Sequence, residues 1–75
     1  MANANRAARI EAAADICRIN AVDTVRERIG AAALEALDFN AYLEVTDTEK
    51  MAQAGYFADE HGVTRAEVLK ALNLS

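Results

Sequence analysis

Between residues 5 and 36 the apolar side chains Ile10, Ala14, Cys17, Ala21, Val25, Ile29, Ala32 and Ala36 recur at steps of three or four, and their phase holds throughout. That period is helical, because one stripe of an α-helix returns every 3.6 residues. Ile16, Ile19 and Val22 widen the stripe on one side, and Arg9, Asp23, Arg26 and Glu27 hold the opposite face. Nothing between residues 5 and 29 breaks a helix. The spacing predicts one long helix there, or two with Asn20 capping the second. Arg26 and Arg28 ahead of Gly30 have the form of a helix C-terminus, where cations meet the negative end of the dipole. A short helix is predicted over 31–37, and Asp38-Phe39-Asn40 reads as a turn.

The last third is punctuated more sharply. Thr46 and Glu49 have capping-box spacing, which predicts a helix from there to His61. Gly62 fits the left-handed position after a helix, and Val63 the apolar residue that follows it. Thr64 and Glu67 repeat the capping box and open a short helix ending near Leu72. The chain has no proline and no β-branched run. The expected fold is therefore all-α: one domain over residues 1–75, a compact bundle of four or five helices. Long or paired amphipathic helices fill 1–38, and a helix-turn-helix-like element fills 46–73.

Residues 55–73 carry a more specific pattern. Ala58 is small where two helices would cross, Gly62 stands four positions later at the turn, and Val63 plugs the turn. Phe57 fills the apolar slot before the alanine, and Val68 and Ala71 face the first helix. This segment, about a quarter of the chain, resembles the helix-turn-helix of phage repressors and Cro-type regulators. The resemblance implies that the second helix enters a DNA major groove, with Thr64, Arg65, Ala66, Leu69, Lys70 and Asn73 toward the base edges. Arg65 would then grip a guanine, and Asn73 an adenine or a phosphate.

Composition bears on support and compartment. A domain of 75 residues buries only about 60% of its unfolded surface and is marginal alone. Cys17 is the only cysteine, which excludes an intrachain disulfide, and one histidine with no Cys/His cluster offers no metal staple. Self-association through the N-terminal helical region, as a homodimer, is the expected support. A single unpaired cysteine suggests a reducing, cytoplasmic setting. Residues 1–6 lack the apolar core of a leader, and no stretch approaches the ~20 apolar residues of a membrane span. The aromatics Phe39, Tyr42, Tyr56 and Phe57 all lie in the second half, where the densest core is expected.

Charge and chemistry set the functional expectation. The net charge is −4 and uneven: five arginines meet four acids up to Gly30, then Lys50, Arg65 and Lys70 meet eight acids. No catalytic constellation stands out. Asp59 and Glu60 are adjacent and point about 100° apart on a helix, so they cannot face each other across a substrate. His61 suits a helix C-terminus, and Cys17 suits the core. Asp47, Thr48 and Glu49 could meet a cation, but a cap uses the same residues. No cofactor, metal or enzymatic activity is expected. Phosphate neutralisation supplies most non-specific DNA affinity, and the segment around 55–73 is acidic. The leading expectation is therefore a small acidic regulator, an inhibitor or adaptor of the kind phages and plasmids encode. It would bind and mask another protein, in particular one whose surface meets nucleic acid. Asp59 and Glu60 would steer the partner and Leu69 would anchor it. The alternative is a helix-turn-helix DNA-binding transcriptional regulator using Thr64, Arg65, Lys70 and Asn73.

Overall fold

The apolar stripe of the first third folds as one unbroken helix. In the computed structural model, which describes the backbone of residues 2–75 and the side chains of residues 5–75, the elements are α1 (Ala2–Ile29), α2 (Ala31–Ala36), α3 (Phe39–Glu60) and α4 (Arg65–Ala71). The class is all-α, with four helices and no strand among the described residues. The leaderless reading of residues 1–6 begins outside them. No described helix is long and apolar enough to cross a membrane.

Asn20 caps nothing: its amide donates to Gln53 Oε1 at 3.0 Å. Gly30 ends α1 with φ +91°, a value that costs glycine little, and its N–H donates to the Arg26 carbonyl. The expected turn at 38–40 is instead the start of α3. Asp38 is its N-cap, and the carboxylate accepts from the Ala41 N–H at 2.8 Å. Thr46 consequently lies inside α3 and caps nothing. It is buried, and its hydroxyl donates to the Tyr42 carbonyl one turn back at 2.8 Å.

The α3–α4 junction follows the sequence closely. Gly62 adopts φ +67°. The Val63 N–H donates to the Ala58 carbonyl at 3.0 Å and the Gly62 N–H to Asp59 at 3.3 Å, completing a Schellman turn. Thr64 then caps α4 in a full capping box with Glu67. A second turn of the same kind closes α4, with Asn73 at φ +61° and the Leu74 N–H on the Leu69 carbonyl.

α1 and α3 run antiparallel, since Arg28 meets Glu49 while Asn20 meets Gln53. The core between them is built of small residues: Ala13, Ala14 and Cys17 from α1 against Ala54 and Ala58, closed by Val63, Val68 and Leu72. Small side chains let two helices approach toward the near end of the usual range of about 8–10 Å between axes. The densest packing is therefore not aromatic. Phe39 is 73% exposed and Tyr56 63%, while Phe57 packs half-buried against the cluster. Ile19, read as part of the buried stripe, is 61% exposed. The molecule measures 45 × 19 × 15 Å with a radius of gyration of 13.3 Å, against about 11 Å for a compact globule of this length.

Candidate interaction surfaces

Two regions carry the side chains available for recognition. The first is the corner formed by the end of α3, the Gly62 turn and α4. Asp59 and Glu60 stand exposed on the last turn of α3, and the Tyr56 hydroxyl donates to Glu60 Oε1 at 3.3 Å. His61 is half-buried with Nδ1 2.9 Å from the Phe57 carbonyl, one helical turn back. Leu69 does not project from the surface. It is half-buried and packed on the core, so it serves the fold as well as any partner.

Of the other residues singled out at this corner, Thr64 is spent on the cap. Arg65 lies across Gly55 and donates to the Met51 carbonyl at 3.1 Å. Lys70 is exposed, and Asn73 is exposed in its left-handed turn. The cations around α4 are not those nearest in sequence. Lys50 pairs with Asp47 well up α3. In its place α1 brings Arg6, bound to Glu67, and Arg18, whose guanidinium donates to the Ala71 carbonyl at 3.1 Å. Arg9 extends over the turn, with Nη1 about 3.0 Å from where a Gly62 side chain would begin.

Ion pairs take up most of the positive charge. Arg6–Glu67, Arg18–Asp15, Arg26–Asp23, Arg28–Glu49 and Lys50–Asp47 occupy five of the eight cations. Among the described residues, Glu11, Glu27, Glu35, Asp38, Glu44, Asp59 and Glu60 are exposed and in no ion pair. Seven unpaired carboxylates against three unpaired cations therefore carry the whole net charge of −4.

The second region was not legible in the sequence. At the other end of the molecule the α1–α2–α3 elbow encloses an open groove of about 420 Å³ lined by Val22, Arg26, Leu34, Glu35, Leu37, Phe39 and Tyr42. Leu34 is buried, and Val22, Leu37 and Tyr42 are half-buried. Phe39, the first residue of α3 after the Asp38 cap, lines the rim of the groove and is largely exposed. Ile29 and Leu43, 40% and 36% exposed, add apolar area at this end.

The chemistry of reactive groups is muted. Among the described residues no three His, Cys, Asp or Glu side chains stand where they could share a metal ion. Burial pushes the Cys17 thiol up, and the protonated Sγ donates to the Lys50 carbonyl at 3.3 Å, a packing role. Comparisons with protein-family models, curated proteins and solved structures give no match for this chain.

Proposed function

We propose that this chain is a small acidic regulatory protein that acts without catalysis, binding another protein and masking its surface. The observation that carries this reading is the surplus of free acids. Seven exposed carboxylates lie outside any ion pair, while Arg9, Arg65 and Lys70 are the cations outside one. A field of that sign attracts a basic partner surface and repels phosphate. Basic protein surfaces are the ones that meet nucleic acid, so masking such a surface would block that contact. Asp59 and Glu60 are the steering pair at the α3–α4 corner, with Leu69 behind them. The test is binding to a basic nucleic-acid-binding protein, measured by association rate with wild type and with the Asp59→Lys/Glu60→Lys variant. The expected result is association that slows in the variant and slows with salt in the wild type. Equal rates for both proteins would remove the reading.

One observation favours DNA as an alternative partner. α1 carries Arg6, Arg9 and Arg18 to the flank of α4, beside the exposed Lys70 and Asn73. If α4 reads a major groove, these arginines would touch the flanking phosphates.

A further inference from the structure

The elbow groove presents a hole and a knob on one small surface. The hole is the roughly 420 Å³ cleft over Val22, Leu34, Leu37 and Tyr42, and the knob is Phe39, 73% exposed at its edge. A cleft of that volume falls within the range that holds a buried organic group, so it has room for an aromatic ring. The groove also carries one charge of each sign, Arg26 and Glu35. Arg26 is tied to Asp23 at 2.8 Å, yet its side chain remains 49% exposed and reachable.

We propose that the occupant of this groove is a second copy of the chain: Phe39 of each protomer enters the groove of the other, and Arg26 of each faces the partner's Glu35. Two features select a second copy over an unrelated segment. An isologous two-fold contact requires a surface complementary to itself, and a knob beside its own hole meets that requirement. A two-fold axis through the groove can pair the unlike charges Arg26 and Glu35 twice, so the polar margin is complementary along with the apolar centre. Ile29 and Leu43 extend the apolar area at this end of the molecule. The inference stands on the groove and is independent of the regulatory reading above.

Sedimentation equilibrium of the full chain from about 1 μM to about 1 mM tests it. The wild type is expected to pass from monomer to dimer within that range. Phe39→Asp is expected to stay monomeric with unchanged helical circular dichroism, because an exposed first-turn position accepts aspartate readily. Arg26→Glu and Glu35→Arg are each expected to weaken the dimer about tenfold or more, since each sets like charges opposite one another. An equimolar mixture of those two variants is expected to recover wild-type association, because every pair across the axis is then unlike. A monomeric wild type at the highest concentration overturns the proposal. So does a Phe39→Asp protein that dimerises as well as wild type, or a mixture no tighter than its components.

Discussion

Arg6 and Glu67, 61 residues apart, form a two-pronged ion pair that ties the first turns of α1 to α4, with Arg6 Nε donating to Glu67 Oε2 at 2.7 Å. The same carboxylate closes the capping box, accepting from the Thr64 N–H at 2.9 Å. One side chain thus serves as both cap and clasp. Four donated hydrogen bonds converge on it: two from the Arg6 guanidinium and two from the Thr64 backbone and hydroxyl.

Acid sensitivity follows from that convergence. The Arg6 hydrogen bonds, followed by those from Thr64, hold the Glu67 carboxyl down to about 2, below its ordinary 4.5. Glu49 is lowered as well, chiefly by the hydrogen bond from Arg28. A depressed carboxyl stabilises the fold fully above its ordinary range and loses that contribution as pH falls through its folded value. The melting temperature is therefore expected to decline as pH drops from about 4.5 toward 2, with a shallower decline in Glu67→Gln. Parallel slopes for the two proteins would show that Glu67 contributes nothing to the transition.

Gly62 is expected to resist substitution for a backbone reason. At φ +67° a side chain is strained whatever room it finds, and the nearest atom, Arg9 Nη1 at 3.0 Å, is the end of a flexible chain that can move away. Gly62→Ala should cost roughly 1–2 kcal/mol, and Gly62→Val more. Urea denaturation reads both, and a midpoint unchanged in either would mean that the turn is not in this conformation.

The interface of alanines predicts intolerance to larger residues. Ala58 is 1% exposed, within the cluster that includes Ala13, Ala14 and Cys17. Ala58→Leu should cost about 1–3 kcal/mol through overpacking. Phe57→Ala, from a half-buried site, should cost about 2 kcal/mol, less than a fully buried phenylalanine would. At concentrations below any dimerisation, Phe39→Ala should fall within about 0.5 kcal/mol of wild type. Reversal of the Phe57 and Phe39 effects would place the core elsewhere.

These contrasts mark what the sequence could and could not convey. Thr46 and Thr64 stand in the same local pattern, a threonine with glutamate three residues on. Thr64 follows a glycine that stops the preceding helix, so its hydroxyl is needed as a cap. Thr46 has no breaker behind it, and α3, once begun at Asp38, runs through it. Its hydroxyl is satisfied equally well by the carbonyl one turn back, an outcome that local spacing cannot distinguish. The long stripe and the Gly62 turn were legible because period and positive φ are local. Phe39 and Tyr56 lie outside the core because small residues fill the α1–α3 contact, and which helices meet is a tertiary fact. The elbow groove is not legible in the sequence for the same reason: Val22, Leu34 and Tyr42 belong to three different helices. The arginines beside α4 were hidden likewise, since they arrive from α1.

The balance of charge around α4 gives the last prediction, which separates the two partner classes. A DNA-binding surface draws much of its affinity from cations that neutralise phosphates and release their condensed counterions, and the logarithm of that affinity falls steeply with salt. At this corner Arg6 is neutralised by Glu67, Arg18 by Asp15, and Arg65 is engaged with the Met51 carbonyl. Asp59 and Glu60 stand free on the same corner and would repel the backbone. Against these two acids stand the unpaired Arg9, Arg65 and Lys70, a surplus of one positive charge at the corner, which is little to drive association with DNA. Fluorescence anisotropy with a labelled duplex of mixed sequence is therefore expected to detect no retention at about 200 mM salt, and only weak binding at about 50 mM. Arg65→Ala/Lys70→Ala should leave that result unchanged, while a basic protein partner should be bound with an association rate that depends on Asp59 and Glu60. Tight, salt-sensitive retention of the duplex by wild type, lost in the Arg65/Lys70 double variant, would make DNA the partner and α4 the element that reads it.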